Sequence, residues 1–192
     1  MKKGISMIET LRDFVEKMNE LGIEYMVTGS YAMSAYGEIR MTKDIDVVIE
    51  LSSVDVVSFF ELFKDGYYVS DVSIRRAIDR ESMFNLVNHE HGGKVDCIIH
   101  KNTDFARSSF SRRYKVSVAG IQFWNTTLED LVISKLLWAK DTNSEMQIRD
   151  IANLTGSDYD EDYVKKWIAQ LDLNDIWAEV GKWKTLHRAL EN

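Results

Sequence analysis

The chain has 192 residues, 45% hydrophobic and 29% charged. That balance excludes a disordered chain and suits one ordinary domain, or a compact domain with a small helical extension. No run approaches the roughly 18 apolar residues of a membrane span, and a net charge of −7 argues against a general nucleic-acid binder, whose surface needs clustered Lys and Arg.

The N-terminal MKKGISMIETLRDF meets acidic residues too early for a secretory signal, so the cytoplasm is the expected compartment. Ile8, Leu11, Phe14, Val15, Met18 and Leu21 then recur at helical spacing, with Gly22 placed to end the helix. IEYMVTG reads as a strand, YAMSAY as a short helix closed by Gly37, and DIDVVIE as a second strand. Ser52 or Ser53 is the expected cap of a helix running to about Phe63, with Val56, Val57, Phe60 and Phe63 as its apolar face. YYVS reads as a strand and DVSIRRAIDR as a short helix. SMFNLVNHE and KVDCIIH form a strand pair joined through Gly92-Gly93, and a polar loop follows. YKVSVAGIQFWN is expected to be a hairpin turning at Ala119-Gly120.

From Thr127 the pattern is helical only: LEDLVISKLLWAK, EMQIRDIANL, EDYVKKWIAQL and IWAEVGKWKTLHRAL. The expected organisation is therefore a mixed α/β region over 1–126 and a helical region over 127–192. With no proline, repeat or low-complexity segment to mark a linker, the second is expected to pack on the first. Cys97, the single cysteine, has no partner at disulfide or metal-ligand spacing and reads as a buried strand thiol.

The chemistry-bearing stretch is TGSYAMSAYGEIRMTKDIDVVIE, Thr28 to Glu50. Side chains alternate along a strand, so Asp44 and Asp46 share one side with roughly 6 to 7 Å between their Cα atoms. Both can converge on one or two cations, and Mg²⁺, which takes oxygen ligands and is commonly completed by phosphates, suits such a pair. Asp96, inside the apolar run VDCIIH, asks for the same explanation. If its strand neighbours that of Asp44 and Asp46, three carboxylates meet. The alternative is a set of strand-end acids facing solvent or paired with Lys43, Lys94 or Arg40. Upstream, Gly29 allows close backbone approach, and Ser30 with the amides opening the following helix can cradle a phosphate.

The order Gly-Ser, Asp-x-Asp on a strand and a later strand Asp resembles the DNA polymerase beta-like nucleotidyltransferase superfamily. Within it, GSYAMSAYGEIRMTKDIDVVIE is similar to the bacterial branch that includes the abortive-infection AbiEii-type and AbiGii-type toxins. The resemblance implies an α/β (α+β) fold: a mixed β-sheet nucleotidyltransferase core with flanking helices, and the C-terminal helical region. It implies transfer of an NMP from an NTP, ATP or GTP, to a hydroxyl of RNA, a protein or a small molecule. Asp44, Asp46 and Asp96 are carried over as catalytic ligands of Mg²⁺ or Mn²⁺, with Asp96 also able to act as base. Gly29 and Ser30 map to the phosphate-holding step, and Arg40 and Lys43 to neutralisation of phosphate charge.

Within LEDLVISKLLWAK the resemblance places Lys135 on the nucleotide phosphates, and Arg149-Asp150 fits the end of a later basic and acidic segment. Ser144 and Gln147 depart from the lysine and acid expected there, and Asp150 can instead pair with Arg149 or Lys135. The alternative function is a catalytically silent member that binds a nucleotide or a cognate antitoxin. The histidines His89 and His91 lack zinc-protease spacing and read as turn residues.

Overall fold

Alternation of apolar and acidic residues in DIDVVI sets the sheet's two faces. The structure, a computed structural model, describes residues 7–40, 42–156 and 158–188, Arg188 by its backbone alone. Ala189 and Leu190, the end of the last expected helix, lie outside the described residues. The described chain falls into two units, one comprising the residues up to Ala35 with Ile39–Thr126, the other Tyr36–Glu38 with the residues from Thr127.

The first unit begins with helix α1 (Met7–Leu21), strand β1 (Tyr25–Thr28) and the short helix α2 (Gly29–Ala32), which runs into a 3-10 turn, Met33–Tyr36, whose last residue counts with the second unit. Then come β2 (Asp44–Ile49), α3 (Val56–Phe63), β3 (Tyr67–Tyr68), α4 (Asp71–Asp79), β4 (Met83–Asn88), β5 (Lys94–Ile99), α5 (Asp104–Arg112), β6 (Tyr114–Val118) and β7 (Ile121–Asn125). The seven strands form one mixed sheet in the order β3-β4-β5-β2-β1-β7-β6. β2 pairs parallel with β5 and antiparallel with β1, and β1 pairs parallel with β7.

Two local expectations are corrected. The helix expected to be capped at Ser52 or Ser53 begins at Val56, because the Ser52 N–H and hydroxyl donate to Asp55 Oδ2 and close a turn there instead. Its buried side chains are Val56, Phe59 and Phe63, while Val57 is exposed. The polar loop before β6 contains α5, capped by Thr103 Oγ1 accepting from the Ala106 N–H. Only two apolar residues of α5, Phe105 and Phe110, are buried beside Ser109, so the apolar period that marks a helix is missing.

One face of the sheet is apolar. Ile45, Val47, Ile49, Val95, Cys97, Phe84 and Leu86 are buried there, beneath α1, α3 and α4. Phe14, Phe59, Phe63, Tyr67 and Phe84 form a connected aromatic cluster, with Phe59 and Phe63 stacked at 4.5 Å and Phe63 edge-on to Tyr67 at 5.2 Å. At the β4–β5 turn a Cβ on Gly93 would lie 2.3 Å from Thr10 Oγ1, so α1 seats directly against backbone. The opposite face carries Asp44, Asp46 and Val48 outward.

The second unit is helical: α6 (Leu128–Thr142), α7 (Glu145–Leu154), α8 (Glu161–Gln170) and α9 (Asn174–Arg188). Within it Asp130, fully buried, accepts from the Tyr163 hydroxyl at 2.6 Å and from Thr127 Oγ1 at 2.7 Å. Among the described residues no helix is long and apolar enough to cross a membrane.

Phe63 touches three other rings and is fully buried. Phe63→Ala is therefore expected to lower stability by about 3–5 kcal/mol, read from urea unfolding midpoints. A loss below about 1 kcal/mol would show that the aromatic cluster is not the centre of the core.

Candidate functional site

The acids gather where β2 and β5 run side by side. In the parallel register Asp44 lies opposite Lys94 and Asp46 opposite Asp96, so all four side chains leave one face. Lys94 Nζ stands 2.8 Å from Asp96 Oδ2 and 3.3 Å from Asp44 Oδ2. Hydrogen bonding to Asp96, then to Asp44, holds the lysine above its ordinary pKa. Asp44 Oδ1 accepts from Thr42 Oγ1 at 3.0 Å.

Asp96 is 6% exposed, and its Oδ1 is buried with no hydrogen-bond partner among the described residues. Asp46 Oδ2 lies against Gly29: a Cβ at Gly29 would meet that oxygen at 1.9 Å. Gly29 also has φ +62°, a left-handed backbone that opens α2 directly after the extended Thr28. Ser30 is nearly buried, and its hydroxyl accepts a hydrogen bond from Arg40. Lys43 is exposed on the loop leading into β2.

Among the described residues no group of three or more His, Cys, Asp and Glu side chains is placed to hold a metal ion. The structure brings Asp44 and Asp96 onto one cation, the Lys94 ammonium, and keeps Asp46 on the same face beside Gly29. This donor set suits a hard divalent cation on two counts: two carboxylates already share a positive charge, and a buried carboxylate oxygen has no partner.

Lys135 belongs to the helical unit. Its Nζ donates to Asp150 Oδ2 at 2.9 Å and to Gln147 Oε1 at 3.0 Å, and the ion-paired side chains are 4% and 1% exposed. The pairing of Asp150 is thus with Lys135. Gln147, which departs from the pattern of the resemblance, serves as a neutral second acceptor for the same ammonium.

Two residues near the acids escape a motif-based reading. Thr42 orients Asp44 from two residues upstream, a signal visible only once Asp44 is placed. Asn85, exposed on β4, lies directly opposite Asp96 in the antiparallel register. Its position on the acids' face follows from alternation plus strand order, and strand order is not written in the local sequence.

A family described as "Nucleotidyltransferase of unknown function (DUF6036)" matches residues 5–171. Among curated proteins no relative matches by sequence. Several solved structures share the fold. A nucleotidyltransferase-like antigen of Paracoccidioides brasiliensis has a TM-score of 0.53 and 16% identity over 90% of this chain and 91% of its own. The lincosamide antibiotic adenylyltransferase LnuA, lincomycin-bound, has a TM-score of 0.53 and 14% identity over 77% and 96%. The antibiotic-resistance factor ANT(2'')-Ia has a TM-score of 0.51 and 12% identity over 95% and 94%.

Gly29→Ala adds left-handed strain, costing about 1–2 kcal/mol, and drives Asp46 from its position. The expected result is a lowered unfolding midpoint in urea; an unchanged midpoint would mean that the close approach at Gly29 is unimportant. Lys135→Met leaves Asp150 charged and buried, and a loss of about 3–5 kcal/mol is expected. Wild-type stability in thermal and urea unfolding would show that the pair is not structural.

Proposed function

We propose, from the premise that the chain belongs to this nucleotidyltransferase family of unknown function, that it transfers a nucleoside monophosphate from a nucleoside triphosphate to a hydroxyl on a small molecule. The observation that carries this reading is the same-face set of Asp44, Asp46 and Asp96, with Asp44 and Asp96 sharing one cation beside the Gly29 approach. Asp44, Asp46 and Asp96 are the residues that would hold Mg²⁺ or Mn²⁺, which supplies charge neutralisation of the triphosphate and Lewis acidity at the acceptor oxygen.

The chain's own residues do the rest. Gly29, lacking a side chain, lets the Asp46 carboxylate reach the phosphate-holding step at the start of α2, and Ser30, held by Arg40, offers its hydroxyl to the phosphates. Arg40 and Lys43 neutralise phosphate charge. Asp96 takes the proton from the acceptor hydroxyl as its oxygen attacks the α-phosphorus in line and pyrophosphate leaves. Lys135 is assigned to the nucleotide on the resemblance alone; in the structure its ammonium neutralises Asp150.

A small-molecule acceptor is favoured over RNA or a protein surface on two grounds. The net charge of −7 disfavours a polyanion, and two proteins of the same fold are described with antibiotics as their business. Placement in the toxin-like branch, with a cognate antitoxin as partner and residence in the cytoplasm, rests on the residue pattern alone.

The test is incubation of the purified protein with each α-labelled NTP, Mg²⁺ and, separately, a panel of hydroxylated antibiotics, total RNA and cell extract. Label is expected on a small molecule. Asp44→Asn, Asp46→Asn and Asp96→Asn are each expected to lower transfer by roughly 10²-fold or more with circular dichroism unchanged. Undiminished transfer in these variants would refute the assignment, and binding of Mg·ATP without transfer to any acceptor would point to a silent nucleotide-binding member.

A further inference from the structure

Lys94 is aimed at the acids by the backbone. It precedes Asp96 by two residues on β5, so both side chains leave the same face, and in the parallel register it lies opposite Asp44 on β2. No loop rearrangement is needed to bring its ammonium between the two carboxylates, at 2.8 Å from one and 3.3 Å from the other. An ammonium and a divalent ion repel too strongly at such distances to share the same two oxygens.

The fit of the lysine is partial. Its three donors satisfy one oxygen of Asp96, and Oδ1 of that carboxylate stays buried without a hydrogen-bond partner. An ammonium is a complete partner for a single exposed carboxylate, whereas a buried carboxylate with an oxygen left over suits an ion of higher coordination number. Lys94 is also 36% exposed, against 8% for the Asp96 side chain. The lysine is the solvent-facing member of the pair.

We propose that Lys94 is a resident counter-cation, which holds Asp44 and Asp96 together while no metal is bound, withdraws when a divalent ion enters, and thereby sets the metal affinity of the site. The proposal rests on the reading of these acids as metal ligands given above. Lys94 is a positioning residue in this scheme. Its removal strengthens metal binding by removing an internal competitor, where loss of an ordinary structural contact would weaken or spare it.

The test is titration of the nucleotide-free, full-length protein with Mn²⁺, followed by electron paramagnetic resonance and calorimetry. Lys94→Met and the shorter, neutral Lys94→Gln are expected to bind Mn²⁺ roughly tenfold more tightly than wild type, a difference of about 1.4 kcal/mol; Lys94→Arg, which keeps the charge, stays near wild type. Without metal, both neutral variants melt below wild type, and saturating Mn²⁺ closes the gap. Having two neutral variants keeps the measurement decisive where one of them folds poorly. Equal or weaker Mn²⁺ binding in the folded neutral variants, beside a wild type that does bind, overturns the role of Lys94 alone. Absence of Mn²⁺ binding in every variant, with and without ATP, overturns the metal-ligand reading of the acids themselves.

Discussion

Carboxylates on adjacent parallel strands, leaving one face of a sheet, repel one another and cannot stay together without positive charge between them. The rest of the first unit is arranged around that constraint. Lys94 meets it between Asp44 and Asp96, Thr42 fixes the second oxygen of Asp44, and Asp46 is accommodated only because the residue against it, Gly29, has no side chain. A protein with no use for concentrated negative charge gains nothing from this arrangement. On the function proposed above, the same field would receive a cation beside a triphosphate.

The precision of the acidic face comes from its opposite. Ile45, Val47 and Ile49 are buried under α1 and α3, next to stacked Phe59 and Phe63, so β2 cannot slide by one residue without exchanging apolar and charged side chains between core and solvent. β5 is held in the same way through Val95, Cys97 and Ile99. Burial pushes the Cys97 thiol well above its ordinary pKa, which keeps it protonated and inert beside the acids. Register, and with it the pairing of Asp46 with Asp96 and of Asp44 with Lys94, is therefore an outcome of hydrophobic burial on the far side of the sheet.

The helical unit handles charge differently. Its Lys135 and Asp150 are almost fully removed from water and satisfy each other with Gln147 as a further acceptor, while Asp130 is met by Tyr163 and Thr127 hydroxyls. Such pairs rarely add net stability over an apolar substitute, yet losing one member is costly. The acidic site of the first unit shows the opposite balance, with a half-buried lysine over a buried, half-satisfied carboxylate.

The amino-acid sequence alone determined the faces and most of the elements, because periodicity is local: two-residue alternation in DIDVVI put Asp44 and Asp46 together, and helical spacing marked α1 and the helices after Thr127. It failed at α5, where Ser109 occupies a buried position that a nonpolar side chain would have advertised, and at the start of α3, where the Asp55 carboxylate drew Ser52 into a turn. What only the tertiary structure decided was adjacency. That β5 lies parallel to β2, in the register that sets Lys94 between Asp44 and Asp96 and leaves Asp96 Oδ1 without a partner, depends on which strands share a core across some fifty residues of chain. That choice is made by collective burial of side chains distant in sequence, and no local pattern encodes it.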